Sequence, residues 1–346
     1  RDWIVLSGTG ILLSYRFELH VLLAMYVPPR LVTLLLILLV LMSSVSETYS
    51  QNFKDAVEKC EDSKGFAKDL VSDSSFLSSL KHTGFAFIPN AVPRELVLRA
   101  RKEINRHLGQ ATSTLDFKGN FFPNDSTITD VWNKSPLPFL MCELLGPLEK
   151  DSAKSSVCGY EQTFAQVALR FPGDMCPNSN CSRNYFPDLA AYDWHIDGIA
   201  SHFVAGITDF YGHVENYDAE VGVLLSDIEQ TESGELCFYP GSHLKLAEYF
   251  KKEGLKGVRE KGREALPRGG QKTAQTLGVA PRKVIGKAGD AYVFNYMTAH
   301  FVNMNTSPDV RYAVYFRVRG PSIKNSYHSE ETIATPNKNW AFDLED

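Results

Sequence analysis

The pattern of apolar and polar positions predicts helices in the first part of the domain. Residues 51–82 and 93–109 carry apolar side chains at the three- and four-residue spacing of amphipathic helices. The second of these begins at Pro93 and ends at Gly109, which are typical helix start and stop residues. Between them, GFAFIPNAV (84–92) is a short candidate strand.

The pattern changes to short apolar runs separated by turn residues from residue 164 onward. The candidate strands are FAQVALRF (164–171), AYDWHID (191–197), EVGVLLSDI (220–228), ELCFYPGS (235–242), AYVFNYM (291–297) and RYAVYFRVR (311–319). Many short strands with few helices between them are typical of antiparallel sandwiches and barrels. The sequence therefore predicts a mainly β fold with a helical N-terminal cover.

An apolar run, LVTLLLILLVLM (31–42), lies upstream of this domain. Arg30 precedes the run and the small residues Ser44 and Ser46 follow it, which is the order of a secretory signal peptide. A membrane helix needs about 20 apolar residues, more than this segment offers, so a retained membrane tether through 31–45 is the second interpretation.

The chain accordingly divides into a leader, 1–46, and a single domain, 47–346. Residues 1–24 need not be translated, because Met25 could start the leader. We expect a protein of the secretory pathway, in the ER lumen or outside the cell, or a single-pass membrane protein. The six cysteines fit either disulfides in such a compartment or ordinary free thiols.

Composition and charge narrow the class of partner. Hydrophobic residues make up 44% of the chain and charged residues 22%, which is ordinary for a globular protein. A net charge of −5 provides no general positive field, so we expect no nucleic acid partner. Residues 251–287 depart from this balance with 11 basic and three acidic residues. This basic segment is interpreted as a solvated loop, or as a cationic lid that recruits an anionic substrate.

The strongest chemical signal is the sequence His195-Ile196-Asp197. Side chains two residues apart on a strand project from the same face, so an imidazole and a carboxylate would converge there. His300 follows another candidate strand, and Arg311 opens the next one. Two imidazoles and one carboxylate on one face of an octahedral ion form the facial triad of non-haem Fe(II) oxygenases, in which other positions stay open for a cosubstrate and O₂.

These residues lie in an ordered set of longer motifs. The motifs are GFAFIPNAVPRELVLRA (84–100), DWHIDG (193–198), SGELCFYPGSH (233–243), KAGDAYVFNYMTAH (287–300) and NTSPDVRYAVYFRV (305–318). Together they resemble the phytanoyl-CoA dioxygenase family of Fe(II)/2-oxoglutarate-dependent oxygenases, over residues 75–320. The resemblance implies a double-stranded β-helix (a cupin-like jelly-roll) core that holds Fe(II) and 2-oxoglutarate in its mouth.

The resemblance also implies roles for single residues. His195, Asp197 and His300 would ligate iron, and Arg311 would pair with the distal carboxylate of 2-oxoglutarate. The implied reaction is hydroxylation of a small or lipid-like substrate, which could be anionic, with release of succinate and CO₂. Ascorbate is allowed as an auxiliary reductant. The intact carboxylate at Asp197 favours hydroxylation, because related halogenases have a small residue there.

Further residues are candidates for supporting roles. Arg170 lies where many family members carry a basic cosubstrate contact. Arg317 shares a strand face with Arg311 and is either an inward cation for 2-oxoglutarate or substrate, or a rim residue paired with an acid. Asn305 is expected to support the site indirectly. The expected wall of the substrate pocket consists of Tyr185, Phe186 and Tyr192.

Two other classes of protein use the same pattern. A zinc enzyme could bind its metal with the same two histidines and one aspartate. A catalytically silent jelly-roll that binds a lipid or glycan is the other alternative. Arg311 argues against both, because neither needs an anchor for a dicarboxylate.

Overall fold

The computed structural model describes residues 61–110, 120–148, 159–173, 194–199, 214–323, 325 and 327–340. The predicted leader and the candidate pocket residues Tyr185, Phe186 and Tyr192 lie outside the described residues, as do four of the six cysteines. The other two are Cys142, which is half-buried, and Cys237, which is buried. Within these described ranges, no helix combines the length and apolar character needed to cross a membrane.

Both helices and strands occur along the described chain. The helices are α1 (Ser74–Thr83), α2 (Arg94–Gln110), α3 (Ser126–Asn133), α4 (Leu137–Leu145), α5 (Ser242–Glu253), α6 (Lys256–Lys261), α7 (Gly270–Leu277) and α8 (Glu330–Ile333). The strands are β1 (Phe85–Ile88), β2 (Asn120–Phe121), β3 (Gln166–Arg170), β4 (Ala219–Leu224), β5 (Leu236–Phe238), β6 (Arg282–Lys283), β7 (Ala291–Asn295), β8 (His300–Val302) and β9 (Arg311–Val318).

The strands form two antiparallel sheets. The larger has the order β1-β7-β4-β9-β3-β2, and the smaller has the order β6-β5-β8. Both sheets contribute to one buried apolar cluster, which includes Phe85, Tyr292 and Tyr315 from the larger sheet and Leu236 and Phe238 from the smaller. The antiparallel sheets agree with the sequence prediction.

The alternation of side chains along β9 separates two environments. Ala313 and Tyr315 face the cluster between the sheets. On the opposite face, Phe316 packs against Trp132 of α3, with ring centroids 5.0 Å apart. Tyr312 donates a hydrogen bond to Asn105 of α2. The N-terminal helices α2 and α3 therefore contact the outer face of β9, and the face of Arg311 and Arg317 is directed inward.

The segment after β9 packs back onto the larger sheet. Asn295, at the end of β7, donates from Nδ2 to the Pro336 carbonyl at 2.8 Å. Asp218, just before β4, accepts hydrogen bonds from Asn339 Nδ2 and from the Gly320 amide, both at 2.7 Å. These bonds tie the chain beyond β9 to the end of β7 and to the start of β4.

The prediction of a mainly β fold is confirmed only in part, because the sheets are antiparallel but helices and strands are mixed. The basic segment contains the end of α5, all of α6 and α7, and the 3₁₀ turn Gly262–Ala265. The predicted strand 191–197 is also incomplete among its described residues: His195 makes an isolated bridge to His300, and the chain turns at Asp197 and Gly198. Gly198 has φ of 81°, a left-handed value that ends an extended segment.

Candidate metal centre

His195, Asp197 and His300 form one compact group of possible metal ligands. Their ligand atoms all lie within 4.8 Å of one another. His195 Nε2 is 3.4 Å from Asp197 Oδ1, and His300 Nε2 is 3.9 Å from the same oxygen. Two imidazole nitrogens and one carboxylate oxygen in this arrangement fit a first-row divalent ion that needs one protein face and open positions opposite.

Strand pairing places the two histidines side by side. His195 and His300 exchange both backbone hydrogen bonds, each 2.9 Å long. Directly opposed residues of an antiparallel pair project on the same face. The imidazoles therefore lie together, with ring centroids 4.6 Å apart. The turn after Ile196 then brings the Asp197 carboxylate back toward both rings.

His300 is oriented by its own backbone neighbourhood. Its Nδ1 lies 2.8 Å from the Thr298 carbonyl oxygen, which can only accept, so Nδ1 carries the proton. The Nε2 lone pair is consequently free to bind a cation, as is usual for metal-ligating histidines. Burial lowers the pKa of His300, so the imidazole is neutral at physiological pH.

The charges around the group keep its ligands in the form that binds metal. Burial lowers the pKa of His195 to about 3, and the neighbouring Arg263 guanidinium acts in the same direction. Burial acts to raise the pKa of Asp197, but the Arg317 guanidinium and the two histidines outweigh it and hold that pKa well below its usual range. The group therefore presents two neutral imidazoles and one carboxylate.

Arg311 is buried at the start of β9, with only 3% of its surface exposed. Its Nε donates to the Gly234 carbonyl at 2.6 Å, and Nη1 donates to the Ala168 carbonyl at 3.2 Å. Among the described residues, no acceptor meets its Nη2. A buried guanidinium with donors to spare fits a carboxylate that arrives with a ligand.

Glu235, which was not among the residues predicted from the sequence, holds the turn that positions Arg311. This carboxylate is fully buried. It accepts hydrogen bonds from the amides of Glu232 and Ser233 and from Asn303 Nδ2, at 2.8–3.1 Å. The sequence signal that could have identified Glu235 is an acidic residue inside an otherwise apolar strand motif. A buried acid needs hydrogen-bond partners, so such a residue usually has a structural role.

The other three candidate site residues, Arg170, Arg317 and Asn305, have different surroundings in the structure. Arg170 is the register partner of Arg311, so the two side chains share a face. Arg317 contacts Asp197 Oδ2, and also donates to Gln166 Oε1 at 2.8 Å. Asn305 is fully buried and donates to the carbonyls of Arg170 and Asp309, so it braces the connection between β8 and β9.

Glu220 is a second buried carboxyl beside Asp197 that sequence reasoning missed. It lies on β4, directly opposite Arg317 in the register. Its Oε2 has no hydrogen-bond partner in the described part of the chain. Burial, with Asp197 acting in the same direction, raises the pKa of Glu220 well above its usual value.

The described residues contain one other group of metal-ligating types, Glu103, His107 and Asp125. Here Arg106 already forms ion pairs with both acids, directly with Glu103 and at 3.8 Å with Asp125. Asp125 also caps α3 by accepting from the Thr127 amide at 2.8 Å. These contacts describe a structural ion-pair network at the end of α2.

The class of protein follows from the comparison with family models. The model of the family described as phytanoyl-CoA dioxygenase matches residues 80–313, which contain the whole donor group and Arg311. The chain belongs to the phytanoyl-CoA dioxygenase family. This membership supports a function of the oxygenase type that depends on iron and 2-oxoglutarate. The search of curated proteins gives no match to the sequence.

Solved structures with some likeness to the chain have low sequence identity to it. AviO1 from Streptomyces viridochromogenes Tue57 is 14% identical, with 73% of this chain and 97% of that chain covered and a TM-score of 0.45. HygX from Streptomyces hygroscopicus, with nickel and 2-oxoglutarate bound, is 15% identical, with coverages of 74% and 89% and a TM-score of 0.40. The α-ketoglutarate-dependent carbocyclase SnoK from nogalamycin biosynthesis is 15% identical, with coverages of 75% and 89% and a TM-score of 0.40.

Proposed function

We propose that this protein is an Fe(II)- and 2-oxoglutarate-dependent dioxygenase that hydroxylates a small or lipid-like substrate and releases succinate and CO₂. The observation that carries the proposal is the convergence of His195 Nε2, Asp197 Oδ1 and His300 Nε2 on one point. We also propose that the two antiparallel sheets are the halves of a double-stranded β-helix, with this point at its mouth.

The donor set supports iron as the resident metal. His195, Asp197 and His300 would hold it, since two neutral imidazoles and one carboxylate suit a divalent ion that needs open positions. Arg311 would hold the distal carboxylate of 2-oxoglutarate through its uncommitted Nη2. When bound, iron and 2-oxoglutarate supply the oxidation: one oxygen atom of O₂ goes to the substrate and the other to succinate, with loss of CO₂.

The chain's own residues set the conditions for that chemistry. Thr298 fixes the tautomer of His300, so its Nε2 stays unprotonated toward the metal. Arg317 binds the outer oxygen of Asp197 and directs the carboxylate toward the two histidines. The apolar cluster between the sheets excludes water around Arg311, which strengthens its attraction to a carboxylate.

Anaerobic titration with Fe(II) and 2-oxoglutarate tests the proposal. We expect the purified protein to bind one Fe(II) and to develop a weak visible charge-transfer band when 2-oxoglutarate is added. Asp197→Ala should abolish the band. Arg311→Ala should keep iron binding but need at least about tenfold more 2-oxoglutarate, because a charge-assisted hydrogen bond contributes about 1.5–3 kcal/mol.

His107→Ala is the matched control, because His107 belongs to the other group of metal-ligating types. This variant should leave both the iron stoichiometry and the band unchanged. A wild-type protein that binds iron but gives no band with 2-oxoglutarate would contradict the proposal. It would favour a metal protein of another kind, such as a zinc enzyme, or a silent binding module.

A further inference from the structure

The side of the metal centre that faces solvent is lined by two guanidinium groups. Arg263 Nη2 lies 3.5 Å from Asp197 Oδ1, and Arg317 contacts Asp197 Oδ2. The side chains of Arg263 and Arg317 are 26% and 28% exposed, whereas those of Asp197 and His300 are 9% and 6% exposed. The His195 side chain is also 20% exposed, so a molecule that approaches the donor group from solvent meets these two cations beside the His195 ring.

Arg317 is held by several contacts with the protein. It binds Asp197 and Gln166, its guanidinium lies over the Tyr217 ring at 6.0 Å, and burial leaves its Nε without a partner among the described residues. Such a side chain is fixed in place. Its charge contributes to the site, but it cannot turn toward a ligand without breaking these contacts.

Arg263 is held less firmly. Its Nε donates to the Ile199 carbonyl at 3.0 Å, and this bond brings the guanidinium into the site from the 3₁₀ turn. Its contact with Asp197 Oδ1 is long, and Oδ1 is also the oxygen that lies within reach of both histidines. A metal ion at that oxygen would compete with Arg263 for it, and the terminal nitrogens of Arg263 have no other acceptor within the described part of the chain.

The charge balance of the loaded site favours an anion at this position. A divalent ion, Arg263, Arg311 and Arg317 together outweigh Asp197 and a 2-oxoglutarate dianion. The surplus stays positive whether or not Glu220 is ionised. Partly buried charge without a partner is costly, so a negative group that pairs with Arg263 stabilises the complex.

We propose that Arg263 anchors an anionic group of the substrate, a carboxylate or a phosphate, beside the metal ligand Asp197. The inference rests on the proposed function and names the substrate class and the residue that selects it. It also assigns the recruitment of an anion by the basic segment, 251–287, to a single residue. Two other cations of this segment already pair with acids of the protein, Arg259 with Glu330 at 3.6 Å and Lys252 with Glu253 at 3.2 Å.

Binding of three eight-carbon probes to the protein tests this proposal. Octanoate, octyl phosphate and neutral octanol are titrated by calorimetry, without oxygen, into the protein loaded with Fe(II) and saturating 2-oxoglutarate. We expect wild type to bind at least one of the two anions about tenfold or more tightly than octanol. The stronger of the two anions identifies the carboxylate or the phosphate as the group recognised.

Two variants assign the preference to one side chain. Arg263→Gln should lose the preference for the anion and leave the affinity for octanol unchanged. Lys261→Gln removes the same charge from an exposed residue two positions away and should behave as wild type. Arg263→Lys should keep part of the preference, because it keeps the charge but loses the planar donor pair.

The outcomes separate the two proposals. Equal affinity of the wild type for the three probes overturns the role of Arg263, even if Arg263→Gln does not fold. An anion preference that survives in Arg263→Gln overturns it as well. Failure of the wild type to form the charge-transfer band overturns the proposed function, and this inference with it. A normal band without an Arg263-dependent preference overturns this inference alone.

Discussion

At the scale of single residues, the site depends on a buried acid that is not itself one of the candidate metal ligands. Glu235 accepts three hydrogen bonds and fixes the turn in which the Gly234 carbonyl accepts from Arg311. Gly234 has φ of 76°, and a Cβ there would lie 2.8 Å from the Cβ of Arg170. Carboxylate and glycine together set the position of the Arg311 side chain.

Replacing Glu235 with glutamine tests this support. The amide NH₂ of Glu235→Gln would face a backbone N–H or the amide of Asn303, so one buried donor loses its acceptor. We expect about 1–3 kcal/mol lower free energy of unfolding, and weaker binding of 2-oxoglutarate at unchanged Fe(II) affinity. Urea denaturation and the anaerobic titration measure the two effects, and a variant with wild-type affinity for 2-oxoglutarate would contradict the role.

The residues that were predictable are those whose role is carried by local sequence. His195, Asp197, His300 and Arg311 stand in recognisable motifs, and the described structure brings the first three together. Arg263 and Glu220 were not predictable as site residues, since their importance comes from contacts with Asp197 that span large sequence separations. The local hints were coarser: for Glu220, a polar residue in an apolar strand, and for Arg263, its place in the basic segment interpreted as a possible cationic lid.

At the scale of elements, β4 and β7 pack closely because Gly222 on β4 has no side chain. Gly222 pairs with Tyr292, and a Cβ on Gly222 would lie 2.2 Å from an atom of the Tyr292 ring. The Tyr292 hydroxyl donates to that of Tyr315 on β9 at 2.9 Å. Gly222 therefore provides the space in which this tyrosine pair packs between the sheets.

A substitution at Gly222 should disturb this packing. We expect Gly222→Ala to lower the free energy of unfolding by about 1–3 kcal/mol, because overpacking forces the ring to shift. Combined with Tyr292→Leu, the loss should be smaller than the sum of the two single losses. Gly109→Ala, at an exposed helical position where a Cβ meets nothing within 4 Å, should be neutral or slightly stabilising. Chemical denaturation of the four variants measures these changes in the free energy of unfolding.

Elements with a clear period were predicted well, and short polar ones were not. The predicted strand 311–319 and helix 93–109 correspond to β9 and α2 within one or two residues at each end. The short helices α6 and α7 were missed because KGVREK and GQKTAQTL lack a wide apolar stripe. They are held by tertiary contacts such as the Trp194 Nε1–Thr273 Oγ1 hydrogen bond at 2.9 Å.

At the scale of the whole molecule, buried imidazoles make the fold sensitive to acid. Burial lowers the pKa of His195 to about 3, of His243 to about 4 and of His328 to about 3. In the unfolded chain these groups take up protons near pH 6.5. Between that pH and the folded-state values the unfolded chain binds more protons, so the free energy of unfolding falls as the pH falls.

Unfolding measured as a function of pH tests this sensitivity. We expect stability to fall steadily below about pH 6.5. His328→Gln should flatten this decline, since it removes one buried titrating group outside the metal centre. His82→Gln, at an exposed position, should keep the wild-type slope. Identical slopes for all three proteins would contradict the assignment to His328.

The hydrogen bonds beyond β9 indicate that the folded domain continues past the region that matches the family model. The family match ends at residue 313, inside β9, and so omits Arg317, Pro336 and Asn339. A protein expressed to that boundary would lack the outer contact of Asp197 and would expose the ends of β4 and β7. The region shared with the family is thus shorter than the folded domain, which extends at least to Trp340, a tryptophan that is 1% exposed.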